Sequence, residues 1–365
     1  MNEELDFDEE LKNAEDELAS SDDNDETPPG DIVAFNELRS CADLHRMYVA
    51  KQLEIQPDFQ REVVWQPAEQ TRFVDSLAKQ LPIPSMCISL DYKTDKRQVV
   101  DGLQRMSSIF RFLSEPGWRM SKLPDVDDRI SNKTVEYVKR EHGDVFSRVE
   151  NTTIPVTVLR CDMSKKSHQE YMFTIFHRLN KGGSKLTNQE IRNCIYSGTF
   201  NETLKAIVAS DLFKTAFGIQ EDKKYRFAYE ELVLRIVSFF DSHTNYKGPL
   251  SKYLNDHMSD NRNISSDRSA QLINRFQEVL DVLYRRVLIE EPLPRISKAT
   301  IEAILVGIER NFERIQNVSD ETVRAAYVLL RGDPLFSVQA LKEGLAATER
   351  VKARLDKAVQ IFSVQ

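Results

Sequence analysis

Cysteine is scarce in this 365-residue sequence, and the four that occur (Cys41, Cys87, Cys161, Cys194) stand far apart with no C-x-x-C pair. That spacing excludes a zinc knuckle and a disulfide scaffold, and it reads as reduced core thiols in a cytosolic protein. The six histidines form no H-E-x-x-H or similar cluster, and a lone helical one such as His177 is expected to be structural. No G-x-x-x-x-G-K-[ST] loop is present, which excludes a P-loop NTPase, and no G-x-S-x-G elbow is present either. No apolar run approaches membrane-spanning length. The acidic first residues lack an apolar segment of the signal-peptide kind, so a cytoplasmic protein without membrane contact is expected. No internal repeat of fixed period is visible.

Hydrophobic residues make up 41% of the chain, which supports a real core. The formal net charge of −8 is unevenly placed. Residues 1–30 hold thirteen acids and one Lys, so the remainder carries +4. Residues 1–30, ending in Pro28-Pro29-Gly30, read as a disordered acidic tail. The alternative is a strip, with Leu5, Phe7, Leu11 and Leu18 as its apolar residues, that docks on a basic partner or shields a basic site. A mildly basic body permits contact with nucleotides or nucleic acid without requiring it.

From about Ile32 the pattern is α/β. It predicts a helix over 38–52, a short strand at 54–56, a helix from Pro67 to Gln80, a strand over 85–90 and another over 98–100. A helix over 103–113, an irregular stretch over 116–150 with a helix near 132–141, and a strand over 154–159 follow. Two capping boxes, Ser167 with Glu170 and Thr187 with Glu190, predict two helix starts. Beyond 200 the periodicity is helical almost throughout, over 225–240, 267–290, 298–316, 320–331 and 335–362. The expected class is α+β: a small mixed-sheet domain over 31–200, then an all-helical domain over 201–365 for assembly or effector contact.

The most informative stretch is R-Q-V-V-D-G-L-Q-R-M-S-S-I-F-R-F, residues 97–112. A strand meets Asp101-Gly102, and an apolar-periodic helix begins at once. A helix N-terminus exposes unpaired N–H groups and partial positive charge, so it attracts phosphate. Gly102 lets backbone approach a ligand closely, and Arg105 offers a planar fork suited to phosphate. Asp101, Gln104, Ser107 and Ser108 crowd the same place. The plainer alternative is a strand-turn-helix connection whose Arg105 pairs with Asp101.

Two other segments are polar beyond what scaffold needs. In P-D-F-Q-R-E-V-V-W (57–65), Gln60 and Arg61 sit between Phe59 and Trp65. Arg61 is suited to phosphate, and Trp65 either stacks on a base or anchors the loop to the core. In F-H-R-L-N-K-G-G (176–183), Gly182-Gly183 reads either as a helix C-cap or as a nest of N–H groups for an anion, with Arg178, Asn180 and Lys181 beside it. Taken jointly, three polar, Arg-bearing loops in one α/β segment favour a shared anion site.

These elements, with F-V-D-S-L-A-K-Q-L-P-I-P-S (73–85), the extension S-K-L-T-N-Q-E-I-R (184–192) and R-F-A-Y-E-E-L-V-L-R (226–235), resemble in order the N-terminal domain of GmrSD-type restriction endonucleases. That family carries a D-G-Q-Q-R motif on a ParB/sulfiredoxin-like fold. The resemblance covers roughly 35–255. It implies nucleotide binding and NTP hydrolysis with Mg²⁺ in defence against phage or modified DNA, often beside an HNH-type nuclease. By carry-over, Asp101, Gln104 and Arg105 are the catalytic core, with Asp101 positioning a metal-bound or attacking water. Gln60, Arg61, Trp65, Gly102, Ser107, Arg178, Asn180, Gly182 and Gly183 surround the nucleotide. Leu103 stands where the family usually has Gln, which weakens hydrolysis and leaves binding. Sulfiredoxin-type chemistry needs a cysteine at this turn, where there is none. Residues 260–365 carry no histidine, so a nuclease effector is expected in trans. The alternatives are a ParB-like DNA-binding module, for which Arg285, Arg286, Arg350, Lys352, Arg354 and Lys357 speak, or a nuclease without NTPase activity. Self-association into a homo-oligomer is allowed.

Overall fold

The computed structural model describes residues 11, 14–15, 28–55, 65–179, 186–220, 227–345 and 347–364. The chain divides into two compact units, Glu26–Leu186 and Thr187–Gln365, the second joined by Met1–Asp25. The class is α+β as expected: a mixed sheet first, helices after.

The first unit is built on a five-stranded sheet of β1 (Val33–Ser40), β2 (Leu53–Glu54), β3 (Met86–Asp91), β4 (Lys96–Asp101) and β5 (Thr153–Cys161), in the order β1-β5-β3-β4-β2. β5 runs antiparallel to β1 and parallel to β3; β4 runs antiparallel to β3 and parallel to β2. Its helices are α1 (Cys41–Val49), α2 (Pro67–Ala78), α3 (Leu103–Ser114), α4 (Val135–Glu141), α5 (Gly143–Asn151) and α6 (Lys166–Leu179). Ile154, Val156, Val158, Met86, Ile88 and Val99 of the sheet join Leu44, Val74, Leu77, Met106 and Ile109 of α1–α3 in one core.

Several boundaries fall where local chemistry puts them. Pro67 opens α2 behind a Gln66/Glu69 capping box, and Gly102 opens α3. The predicted helix over 38–52 is corrected: residues 33–40 form a strand, and the helix starts at Cys41 with the Ser40 hydroxyl accepting from the Asp43 N–H. A Ser is the better guide to that start than apolar spacing, because its oxygen satisfies an orphan donor of the first turn. Likewise α6 begins at Lys166, ahead of Ser167, whereas the Thr187/Glu190 box forms as predicted.

The second unit is helical: α7 (Asn188–Ile195), α8 (Thr199–Ala209), α9 (Asp211–Ala216), α10 (Ala228–Ser242), α11 (Leu250–Asn261), α12 (Ser266–Asp281), α13 (Lys298–Arg310), α14 (Phe312–Ile315), α15 (Asp320–Gly332), α16 (Val338–Gly344) and α17 (Thr348–Ile361). Every residue of α13 from Ala299 to Ile308 is buried, which makes it the centre of this unit. Buried charges cluster around it. Arg192 on α7 donates to Asn255 at 2.9 Å and approaches Glu231 at 3.5 Å, while Arg235 on α10 faces Glu302 of α13 at 2.5 Å. Burial pushes the Glu302 carboxyl above its ordinary range despite that neighbour.

Within residues 1–27 the described positions are Leu11, Ala14 and Glu15. Leu11 is buried against Ala299, Leu341 and Leu345, with Ala14 packed on the same cluster. The Glu15 carboxylate accepts from the Lys298 and Ala299 N–H groups, 3.2 Å each, at the start of α13. A carboxylate there satisfies orphan donors and sits at the positive end of the helix dipole.

Candidate functional site

The motif turn lies where β4 leaves the sheet. A bulge between Cys87 and Ile88 sets Asp101 opposite Cys87, itself opposite Thr157, itself opposite Asn36. One row of side chains therefore crosses four strands. Thr157 donates to the Asn36 side-chain carbonyl at 2.8 Å, and Ser85 and Thr157 share a hydroxyl contact at 3.3 Å. Gly102 has φ 95°, in the left-handed region, and no side chain caps α3 among the described residues. A Cβ at Gly102 would meet Met86 Cγ at 2.8 Å. The turn thus demands glycine for conformation and for space.

Arg105 turns back over this junction. Its Nη2 donates to Asp101 Oδ2 at 2.8 Å, and its Nη1 donates to the Pro84 carbonyl at 2.6 Å. The side chain is 15% exposed, against 41% for Asp101. The Asp101–Arg105 pairing foreseen as the plainer alternative is what forms. The guanidinium ties the end of β4 to the start of β3.

Gln104 points elsewhere. Its Oε1 accepts from the Trp65 backbone N–H at 3.2 Å, and the Trp65 carbonyl accepts from Gln70 at 2.9 Å. The Trp65 ring packs edge-on against Phe73, with centroids 5.6 Å apart, and joins the core. This is the anchoring alternative for Trp65. Ser108 is buried and donates to the Gln104 carbonyl, so it does not share the surface of Ser107. Leu103 packs against the core as well.

Ser107 lines an open cavity of about 350 Å³ together with Tyr48, Ile55, Gln70, Phe110, Arg111, Ser114 and Glu115. The Tyr48 and Phe110 rings stack at 4.6 Å within its wall. Arg111 is held on three sides: it donates to Glu115 at 2.9 Å and to Gln70 at 3.0 Å, and it lies 4.6 Å from the Trp118 ring centre. Fixed in this way, it gives the cavity a pre-oriented cation. The sequence reading missed Arg111, Gln70 and Tyr48. A signal was available, since Gln104, Ser107, Arg111 and Ser114 recur at spacings of three and four and so share one face of α3.

Gln60, Arg61, Asn180, Gly182 and Gly183 lie outside the described residues. Arg178 is exposed in the last turn of α6. Of the three segments expected to converge, the structure describes one link, Trp65 to Gln104.

Cys87 is the cysteine beside the motif, on the neighbouring strand rather than on the turn. Burial first, and the Asp101 charge second, push its thiol up to about 12. At neutral pH it is a protonated core thiol, not a nucleophile. His168 is structural: its Nδ1 accepts from the Asp162 N–H at 2.9 Å, and its Nε2 meets Asp31 at 2.8 Å. Lys165 and His168 hold the Asp31 carboxyl down at about 2. No group of three or more His, Cys, Asp or Glu side chains suited to a metal occurs among the described residues.

The cations that favoured DNA are largely engaged. Arg285 pairs with Asp281 at 2.7 Å, Arg286 with Asp320 at 2.6 Å and Lys357 with Asp333 at 3.4 Å. Arg354 donates to the Gly344 and Leu345 carbonyls. Among the described residues, no helix is long and apolar enough to cross a membrane.

Neither the curated proteins nor the solved structures contain a match to this chain. A family model does match, and its span encloses the motif turn, the Trp65–Gln104 link, the cavity and the Thr187 capping box. Residues 44–197 match the GmrSD restriction endonuclease N-terminal domain.

Proposed function

We propose that the α/β unit binds a nucleoside triphosphate and that the chain is a nucleotide-responsive component of a restriction or anti-phage system, acting on a nuclease or other effector supplied in trans. The match of residues 44–197 to the GmrSD restriction endonuclease N-terminal domain supports the restriction role. The observation that carries nucleotide binding is the build of α3. Its N-terminus starts from a glycine with no side-chain cap among the described residues, and one turn further Ser107 opens a cavity whose wall is aromatic and whose cation is fixed. Phosphate suits the bare N–H groups. A base and ribose suit an apolar, stacked wall with a few placed polar groups. The reach also agrees, because Leu103 to Phe110 spans about 10 Å at ~1.5 Å per residue.

In this reading Asp101 and Arg105 are positioning residues that hold the turn, and Ser107 and Arg111 touch the ligand. Mg²⁺ fits the donor chemistry. It takes one or two carboxylates with substrate phosphates and water, and Asp101 keeps a carboxylate oxygen that Arg105 does not occupy. When bound, Mg²⁺ would supply charge neutralisation at the phosphates. Leu103 cannot orient water, so turnover is slow relative to binding.

Calorimetry of the full chain with ATP, GTP, CTP and UTP, each with Mg²⁺, tests this. One of the four gives measurable heat, and Arg111→Ala raises its Kd about tenfold or more, the equivalent of one lost charged contact. Absence of heat with all four ends the proposal. Mg²⁺-dependent nicking of duplex DNA that Asp101→Ala abolishes, without nucleotide, would put the nuclease alternative in its place.

A further inference from the structure

The two edges of the sheet are treated differently. At one edge β2 is two residues long, too short to template another strand. At the other, β1 runs for eight residues, and no strand pairs with its outer side among the described residues. Proteins normally guard such an edge with Lys, Pro, a bulge or a short strand. β1, of sequence V-A-F-N-E-L-R-S, has no Lys and no Pro, and its pairing with β5 is unbroken from Val33 to Ser40. It also carries three exposed large apolar side chains, Val33, Phe35 and Leu38, the last 70% exposed.

The free hydrogen-bonding groups can be assigned. The Cys41 N–H donates to the Thr152 carbonyl at 3.0 Å, continuing the Ser40–Thr153 register by one residue. Alternation in an antiparallel ladder then turns the backbone groups of Arg39, Glu37, Phe35 and Val33 toward β5. Those of Ala34, Asn36, Leu38 and Ser40 point outward.

We infer that this edge is an interface with a second copy of the same chain, β1 pairing antiparallel with the partner's β1 about a two-fold axis at Asn36. The choice of a second copy follows from self-complementarity. A two-fold axis normal to the sheet keeps each face on its own side, so the paired positions must have an even sum. Centring on Glu37 sets Glu37 against its own copy. Centring on Phe35 or Leu38 leaves only part of the strand paired. Centring on Asn36 pairs the strand from Val33 to Arg39 with no like charges directly opposite. Ala34 then faces Leu38 on one side of the sheet. On the other, Val33 faces the aliphatic stem of Arg39, and the two Phe35 rings sit diagonally within reach of each other. The Asn36 backbones exchange hydrogen bonds across the axis. The charges are already neutralised within each strand, since Arg39 holds Glu37 through two nitrogens, at 2.8 and 2.9 Å.

Sedimentation velocity of the full-length chain across a concentration series is the test. The expected species is twice the 42.2 kDa chain mass. Leu38→Lys, at an exposed position, keeps the native circular dichroism and raises the dimer Kd by about tenfold or more. The double variant Ala34→Glu/Leu38→Lys regains the dimer, because each new Lys meets the new Glu of the other copy only in this register. A wild-type chain that stays monomeric throughout, or a Leu38→Lys chain that dimerises as well as wild type, overturns the inference. A natively folded double variant that remains monomeric overturns the register. An intact dimer that binds no nucleotide leaves this interface standing and removes only the functional proposal above.

Discussion

Gly102→Ala is the sharpest perturbation available, because a single methyl group tests the turn and the site together. The new Cβ would be forced to hold φ near 95°, which costs an L-residue about 1–2 kcal/mol relative to glycine. It would also sit 2.8 Å from Met86 Cγ and 3.1 Å from Met86 Cβ. Met86 is fully buried at the start of β3, so it has little room to yield, and crowding of that kind costs about 1–3 kcal/mol. The expected loss is therefore about 2–5 kcal/mol, or about 4–20 °C in the melting temperature of a unit of this size. Urea unfolding followed by tryptophan fluorescence reads the α/β unit, because both tryptophans, Trp65 and Trp118, lie in it. A double-mutant cycle isolates the clash. Met86→Ala costs about 2–5 kcal/mol alone by leaving a cavity, and about 1–2 kcal/mol less in the Gly102→Ala background, where the smaller side chain relieves the contact. A Gly102→Ala protein that melts within about 1 °C of wild type would refute both the left-handed turn and the close approach to Met86.

Two further outcomes are expected. All four cysteines are buried, and burial pushes the thiols of Cys41, Cys87 and Cys161 up to about 12, so a thiol reagent at neutral pH labels the native chain slowly and the urea-unfolded chain fully; fast native labelling at Cys87, found by mass spectrometry, would place it at a reactive surface instead. In acid, Asp31, lowered to about 2 by Lys165 and His168, and Asp127, lowered to about 2 by Arg129, stabilise the fold fully above the ordinary carboxylate value near ~3.9. Because these folded-state values are depressed, that stability falls away as the pH drops from about 4 through about 2. The urea midpoint should decline over this window, and Asp31→Asn should flatten the decline; an Asn variant as acid-sensitive as wild type would disprove the assignment.

The sequence made the class legible because its signals are local. Pro67, the β-branched run before Asp101, and the Thr187/Glu190 box each set a boundary through chemistry contained within a few residues. β1 was illegible for the same reason. V-A-F-N-E-L-R-S shows no clean alternation of apolar and polar residues, because at a sheet edge neither face is well covered, and burial writes no pattern into it. The site divides similarly. The Asp101-Gly102 turn and its helix were visible as strand, turn and periodic apolar residues. The distant partners were not: Gln70 and Trp118 reach Arg111 only through the packing of α2 and the following loop on α3. Packing was also what decided Trp65, whose ring went to Phe73 rather than to open space.

The geometry of α3 separates two jobs that the motif's spelling merges. Asp101 and Arg105 are four residues apart and close on each other and on the entry to β3, while Gln104, Ser107 and Arg111 lie on the flank that meets Trp65 and the cavity. Arg105 lies about 100–160° around the helix from Gln104, Ser107 and Arg111 at ~3.6 residues per turn, so one bound group cannot touch both sets equally. The Arg105 fork already spends its best donors on protein acceptors, and moving it to a phosphate would break the 2.6 Å bond to Pro84 that holds β3 in place. Arg111 faces the cavity with its orientation fixed by Glu115, Gln70 and Trp118, so it can donate to base or ribose acceptors held there without being withdrawn from a structural duty at the turn. The motif arginine is thus the weaker candidate for ligand contact and the stronger one for keeping the turn intact, and loss of binding in an Arg105 variant should travel with loss of stability, whereas loss of binding in an Arg111 variant should come with a smaller shift in melting temperature.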